Sequence, residues 1–236
     1  MSLKSFVAFS AALTIALGSS GINAAQSFGS AKKKLEKLYR SHPEVKTFYC
    51  GCEIDWNKGT DIPNAQSCGY EPRKPITRKG NPNRRATRIE WEHVMPAYWF
   101  GRQLACWRHG GRKACHKDPV FKKIEGDMHN LFPAVGELNG DRNNFRFSEL
   151  EGEPRKYGAC DFEVDFKLKK AEPPPQVKGD IARVYFYMAD EYDLKLSKSQ
   201  KRLLEAWNKY DPVDDWERTR NKLIKSIQGN TNKFIN

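Results

Sequence analysis

The sequence is short of acidic residues, of long apolar runs and of histidines. Asp and Glu number 29 against 41 Lys and Arg, which gives a formal net charge of +12, and there are five His. Such a charge favours polyanionic partners, with nucleic acid first and a membrane surface second, although basic surface also serves solubility. Hydrophobic residues at 39% and aromatics at 12% exclude a disordered chain and a polytopic membrane protein. The 236 residues are therefore expected to form a soluble globular protein.

The longest apolar run lies at the N-terminus. Lys4 precedes the nearly all apolar or small segment 6–17, and small residues follow as far as Ala25. This is the three-part pattern of a secretory signal, and about a dozen residues are too few to span ~30 Å of hydrocarbon. We predict a cleavable signal peptide over 1–25, no membrane anchor, and a periplasmic or secreted location. The alternative, a buried N-terminal helix, is disfavoured because the run has almost no polar residues at helical spacing.

The cysteines form an even set with none left over. They are Cys50, Cys52, Cys68, Cys106, Cys115 and Cys160. Disulfides are the expected state of such a set in an oxidising compartment. Cys106 and Cys115 flank the turn Gly110-Gly111 and can close a local loop between them. Cys50 and Cys52 are expected to bond to Cys68 and Cys160, with the partner of each left open.

Zinc is the alternative use of two of these cysteines. His109 and His116 lie near Cys106 and Cys115, so a zinc hydrolase using His109, Cys115 and His116 is one hypothesis. However, the nine-residue step between the cysteines and the Cys-x-Cys pair match no common zinc spacing. Disulfides remain the favoured interpretation.

Helical spacing and strand alternation predict an α+β fold. Helices are predicted at 30–41, 118–128, 136–144, 180–193, 197–209 and 212–228. Strands are predicted at 47–56, 87–93, 145–147 and 162–168, with a loop over 57–83 and an extended connector over 173–175. Since no repeat and no convincing boundary divides the chain, we expect one disulfide-stabilised domain over 26–236 with a helical C-terminal third.

Basic charge is concentrated in two stretches. Residues 73–88 contain seven basic residues and no acidic one, and residues 102–123 contain seven basic residues against Asp118 alone. If both stretches fold onto one face, they form the phosphate-contacting surface of a nucleic-acid binder that is indifferent to sequence. The alternative is a solvated basic loop with no partner.

The dipeptide Glu92-His93 lies at the end of a predicted strand beside these stretches. A neutral imidazole can take a proton from water near pH 7, and a carboxylate can hold a hard divalent cation. Hydrolysis of a phosphodiester needs both functions. Because consecutive strand residues face opposite ways, both can line one site only where the strand twists or breaks, as Pro96 can force. The alternative is a buried, hydrogen-bonded His93 without a catalytic role.

Four motifs follow one another along the chain. They are RIEWEHVMPA at 88–97, CWRHGGR at 106–112, DMHNL at 127–131 and GELNGDR at 136–142. Together they resemble the periplasmic and secreted endonuclease I family. The resemblance extends to 48–52, 68–70 and the tail segment 207–228, and so covers essentially the whole mature chain.

The resemblance implies a mixed α/β nuclease with a ββα-metal, or His-Me finger, active site. In it His93 matches the general base, and Arg112 matches the arginine that steadies the scissile or departing phosphate. Glu92 and Asn139 match the ligands of one Mg²⁺, for which Mn²⁺ or Ca²⁺ can substitute in binding. Glu125 matches a further acidic residue near the metal. An Asn ligand is chemically reasonable, since its carbonyl oxygen suits a hard ion and adds no charge.

The sequence therefore predicts a monomeric, secreted or periplasmic endonuclease that depends on Mg²⁺ and has little sequence preference. The resemblance implies DNA as substrate, with RNA left open, and products that carry 5′-phosphate ends. The alternative from another class is a non-catalytic extracellular protein that binds or takes up DNA.

Overall fold

The computed structural model describes residues 26–56, 61–152 and 154–236. The predicted signal peptide over 1–25 lies outside the described residues. The described helices are α1 (Phe28–Arg40), α2 (Ala97–Gly101), α3 (Gly111–Cys115), α4 (Pro119–Glu125), α5 (Gly136–Arg142), α6 (Lys178–Glu191), α7 (Lys198–Tyr210) and α8 (Asp215–Gln228). Among them, none is long and apolar enough to cross a membrane. The three longest of the chain's second half, α6 to α8, confirm the predicted helical C-terminal third.

The strands are short and form three small sheets in the described ranges. They are β1 (Ile54–Asp55), β2 (Ile62–Pro63), β3 (Ile89–His93), β4 (Leu131–Val135), β5 (Arg146–Phe147), β6 (Glu163–Asp165) and β7 (Lys170–Glu172). Strands β1 and β2 pair antiparallel, as do β3 and β4, and β7 lies between a parallel β5 and an antiparallel β6. This mixture of helices and small sheets confirms the α+β class.

The predicted strand at 47–56 is wrong over most of its length. Only its end forms β1, because Gly51 takes a left-handed conformation with φ of 65° and turns the chain. The backbone N–H of Gly51 donates to Thr47 O at 2.9 Å, and Thr47 N donates to Cys52 O at 2.8 Å. A glycine adopts this conformation at little cost, so the alternating aromatic pattern yields to a tight turn.

Strand β4 was not predicted, and its burial explains why. Leu131 packs into the smaller of two hydrophobic clusters, with Leu35 and Ile224, whereas Phe132 packs into the larger one. All five of its residues are buried, so the strand has no polar alternation to show in the sequence. Pro133 at its centre is also untypical of a strand, since proline has no backbone N–H to donate to a neighbouring strand.

Capping residues fix the ends of the helices. Helix α1 begins at Phe28 with Ser27 as its N-cap, two residues before the predicted start at residue 30. Asp214 and Glu217 form a capping box on α8, and Gly229 follows the end of that helix at residue 228 in the left-handed conformation. Of the predicted proline connector, Pro175 begins a 3₁₀ turn rather than continuing an extended segment.

Three disulfides join the six cysteines. They link Cys106 to Cys115, Cys50 to Cys160 and Cys52 to Cys68. The predicted local loop is confirmed, and the pairing that the sequence left open is decided. The zinc hypothesis is wrong, because the sulfur of Cys115 is in a disulfide and no group of three metal-ligating His, Cys, Asp or Glu side chains occurs in the described part of the chain.

Candidate active site

The candidate site is built on strands β3 and β4 and on helix α5, which are adjacent in the structure. Strand β3 ends at His93, β4 pairs with it from Ile89↔Val135 to His93↔Leu131, and α5 begins at the residue after β4. The N–H of Gly136 donates to Arg88 O at 2.9 Å, which ties the start of α5 to the start of β3. A side chain at Gly136 would come within 2.8 Å of Arg85 O, so this close approach requires glycine.

An open cleft of about 740 Å³ lies along this unit. Its lining contains four of the five predicted site residues: Glu92, His93, Arg112 and Asn139. The carboxylate of the fifth, Glu125, is not part of the lining. Segments that are 47 residues apart in the chain are thus brought to one surface.

His93 is held in a defined protonation state. Its Nε2 lies 2.9 Å from the backbone oxygen of Glu125, and because a carbonyl can only accept, Nε2 carries the proton and Nδ1 keeps its lone pair. Burial lowers the pKa of His93 to about 4, although the hydrogen bond to Glu125 opposes the shift. The imidazole is therefore neutral at pH 7. The ring of Phe28 packs against it at a centroid distance of 4.7 Å.

Glu92 is almost entirely buried and has two partners on one of its oxygens. Oε1 accepts a hydrogen bond from Tyr49 OH at 2.8 Å and lies 3.1 Å from Nη1 of Arg142. Burial raises the pKa of Glu92 to about 7, while Arg142 and Tyr49 favour the charged form. Within the described ranges Oε2 has no hydrogen-bond partner, so one oxygen of this carboxylate stays available to a ligand in the cleft.

Arg142 connects Glu92 to the backbone of the site, and sequence reasoning assigned it no role. Its side chain is completely buried, and it donates to His93 O at 3.1 Å and to Val94 O at 2.6 Å. The guanidinium also lies over Phe147, 4.3 Å from the ring centroid. The sequence feature that could have identified Arg142 is its position in the GELNGDR motif, one helical turn after Asn139 on α5.

Asn130 holds the chain where strand β3 ends. Beyond His93 the strand ends, and the side-chain amide of Asn130 replaces the ladder by accepting from Met95 N at 2.7 Å and donating to Met95 O at 2.9 Å. These bonds hold the chain where β3 breaks, just before Pro96. The predicted break after His93 is present.

The Asn139 side chain is oriented by Glu90. Its Nδ2 donates to Glu90 Oε2 at 3.1 Å, and Glu90 is itself paired with Arg85 and Arg88. The amide oxygen of Asn139 accepts no hydrogen bond from the described residues. Glu92 and Asn139 thus each present an unpartnered hard oxygen in the same cleft, which is the donor type that Mg²⁺ and Ca²⁺ prefer.

Glu125 supports two of the cleft residues at once. Its backbone oxygen holds His93, and its carboxylate accepts from Nε of Arg112 at 2.8 Å. The side chain of Arg112 is 46% exposed and that of Glu125 only 8%. The two terminal nitrogens of Arg112 donate to no other described residue, so they can receive a phosphate. The structure places Glu125 behind the cleft, and a metal-binding role for it stays a prediction.

Comparison with known proteins decides the family. Residues 27–236 match the family described as Endonuclease I. The chain belongs to the endonuclease I family. It is 53% identical over 212 residues to a periplasmic deoxyribonuclease of Aeromonas hydrophila, across 89% of this chain and 86% of the relative. It is 48% identical over 210 residues to endonuclease-1 of Buchnera aphidicola subsp. Acyrthosiphon pisum, across 89% and 80%.

A more distant relative matches about half of this endonuclease I family member. An extracellular ribonuclease of Bacillus subtilis is 39% identical over 127 residues, across 46% of this chain and 43% of the relative. The family resemblance seen in the motifs is confirmed. The names of the relatives also confirm the predicted periplasmic or secreted location.

Both basic stretches of this endonuclease I family member contain paired and unpaired cations. In the first, Arg73 makes two hydrogen bonds to Asp141 at 2.8 and 2.7 Å, and Arg85 and Arg88 pair with Glu90. Arg85 and Arg88 line the cleft together with Glu90. The other cations of this stretch, which have no carboxylate partner among the described residues, are Lys74, Arg78, Lys79 and Arg84. In the second stretch, within the described part of the chain, the residues without a carboxylate partner are Arg102, Arg108, Lys113, Lys117 and Lys122.

Proposed function

We propose that this protein is a Mg²⁺-dependent endonuclease that hydrolyses phosphodiester bonds in DNA with little sequence preference and leaves 5′-phosphate ends. The observation that carries the proposal is a neutral His93, with a free Nδ1, in one cleft with the unpartnered oxygens of Glu92 and Asn139 and with Arg112. The antiparallel β3–β4 pair followed by α5 is the arrangement expected of a ββα-metal, or His-Me finger, site. The deoxyribonuclease relative supports DNA as the substrate.

His93 acts as the general base in this proposal. Nδ1 takes a proton from the attacking water, and the Nε2–H bond to Glu125 O keeps the ring oriented and stabilises the imidazolium that forms. A base whose pKa lies below 7 is unprotonated and ready at neutral pH. The free terminal nitrogens of Arg112 hold the phosphate, because the guanidinium fork matches two phosphate oxygens.

Glu92 and Asn139 would hold the cation. The donor set fits, because both side chains offer an oxygen without a hydrogen-bond partner in the described part of the protein, and neither is a soft ligand. When bound, Mg²⁺ supplies positive charge that neutralises the charge developing on the phosphate and on the leaving oxygen. Arg142 and Tyr49 keep the Glu92 carboxylate in place, and Glu90 keeps the Asn139 amide in place.

RNA is the second candidate substrate. The partial match to an extracellular ribonuclease favours it, although that match covers less than half of this chain. A non-catalytic DNA-binding protein is less well supported, since it would not need an oriented base beside a phosphate-binding arginine. The preference between DNA and RNA is measured as the ratio of kcat/KM on matched single-stranded oligonucleotides of each kind.

Cleavage of supercoiled plasmid tests the proposal. Oxidised protein that lacks the signal peptide is incubated with plasmid in Mg²⁺ or in EDTA, beside His93→Ala and the control His42→Ala, whose histidine does not line the cleft. We expect nicking that requires Mg²⁺, persists in His42→Ala and disappears in His93→Ala, with nicked circles that DNA ligase can reseal. Equal nicking by both variants would refute the assignment of the base. Plasmid that is retarded but uncut would favour the binding protein.

A further inference from the structure

A second cavity opens beside the catalytic cleft. It has a volume of about 400 Å³ and ten lining residues, none of which carries a carboxylate. Met95, Tyr185 and Leu196 give it apolar walls, and Arg102 and Arg146 are among the cations of its rim. An apolar floor with a purely cationic rim is suited to an anionic ligand that also has apolar surface.

Trp99 holds the two arginines together. The guanidinium of Arg146 lies 4.3 Å from the centroid of the Trp99 ring, and that of Arg102 lies 5.4 Å from it. Their other polar contacts are long: Arg146 reaches Ser197 Oγ at 3.4 Å, and Arg102 reaches Tyr98 OH at 3.5 Å. Neither forms an ion pair with any described residue. The aromatic contacts thus hold two like charges at one indole ring and leave most of their N–H groups without a partner among the described residues.

A third cation completes the lining of the cavity. It is Lys195, which forms no ion pair within the described residues.

The cavity lies beside the catalytic cleft at Tyr98 and Asn144. Both residues line the cleft, while Trp99 and Arg146, one and two positions further along the chain, line the cavity. Nε1 of Trp99 donates to Asn144 O at 2.8 Å, and Arg102 lies over the Tyr98 ring at 5.3 Å. These contacts join a wall of the cleft to the arginines of the cavity.

We propose that the second cavity is a phosphate-binding subsite for the nucleic-acid strand that runs out of the catalytic cleft. Arg102 and Arg146 each bind one backbone phosphate, and the apolar wall receives the sugar between them. Bases are not stacked on Trp99, because the guanidiniums occupy its ring. The inference rests on the proposed function for the identity of the ligand, although binding to the subsite requires no cleavage.

The test measures DNA affinity against salt concentration in EDTA. Wild type, Arg102→Gln/Arg146→Gln and the control Arg202→Gln/Lys209→Gln are compared on a fluorescent 20-base-pair duplex. The control removes the same charge from two exposed residues of α7 that do not line the cavity. Two lost phosphate contacts make the slope of log K against log[salt] shallower by about 1.8, so the affinity advantage of wild type shrinks about tenfold between 50 and 200 mM salt.

Neutral methylphosphonate linkages then test whether the two arginines contact phosphate. On a duplex whose linkages are all methylphosphonates no register offers a charged phosphate, so the affinity advantage of wild type over the Arg102/Arg146 variant should disappear. The proposal is overturned if the subsite variant has the slope of the control, if the advantage persists on the neutral duplex, or if wild type fails to bind DNA. Plasmid cleavage by wild type is scored separately, so a loss of the subsite is distinguished from a failure of the proposed nuclease function.

Discussion

Replacement of Arg142 by Met removes the buried cation that joins Glu92 to the end of β3. The substitution keeps a long apolar side chain over Phe147 but leaves the Glu92 carboxylate without its ion pair and two backbone oxygens without donors. Breaking one partner of a buried pair costs about 3–5 kcal/mol. For a domain of this size each kcal/mol lowers Tm by about 2–4 °C, so a decrease of roughly 10 °C is expected.

A double-mutant cycle with Glu92→Gln separates the ion pair from the backbone bonds. In the Glu92→Gln protein Arg142 already lacks its counter-charge, so Arg142→Met leaves no further unpaired charge and should cost only about 1–2 kcal/mol, the value of ordinary hydrogen bonds. Urea unfolding of the four oxidised, metal-free proteins gives the coupling free energy as a difference of differences. Additive costs would refute the reasoning, because they would mean that Arg142 does not stabilise the charge of Glu92.

Arg183→Met is the matched control for activity. Arg183 is equally buried and pairs with Glu217 between α6 and α8, at distances of 2.7 and 2.5 Å, outside the lining of the cleft. Both variants should lose stability, but well below Tm only Arg142→Met should lose plasmid cleavage. Equal activity losses would mean that Arg142 affects cleavage through global stability alone.

Three further predictions concern the support of the site and its acid stability. Glu125→Gln keeps the backbone bond to His93 but weakens the hold on Arg112, so kcat/KM should fall about 10- to 100-fold; a raised Mg²⁺ requirement would instead make Glu125 a ligand. Replacing Cys106 and Cys115 together by Ser opens a loop with a sequence separation of 9, and should cost about 2–3 kcal/mol in urea unfolding; unchanged stability would contradict this.

Burial lowers the pKa of His129 to about 4, below its unfolded value of about 6.5. Between these values the unfolded chain binds more protons, so the free energy of unfolding falls as pH decreases, by about 3 kcal/mol in total. His129→Gln should remove that part of the dependence when unfolding is followed from pH 7 to pH 4.5. Equal slopes for the two proteins would refute it.

Local patterns determined most of the helices and one decisive strand. Helices α7 and α8 lie close to their predicted positions because each is an amphipathic segment with a capping side chain at its start, Ser197 and Asp214. Helix α6 also lies close to its predicted position, although no side chain caps it. Strand β3 shows alternation because it is only half-buried for most of its length. Its partner β4 is buried throughout and interrupted by Pro133, so no local pattern marks it, and the turn at Gly51 overrode an aromatic run.

The sequence by itself determined the family, the even set of cysteines, the excess of basic charge and the residues of the cleft. Only the tertiary structure decided how they act, because the deciding contacts join positions far apart in the chain. Arg142 reaches Glu92 across 50 residues, and the backbone oxygen of Glu125 reaches His93 across 32. The tertiary structure likewise decides which basic residues are paired. Arg85 binds Glu90, whereas Arg102 lies on Trp99 and has no carboxylate partner among the residues that the structure describes.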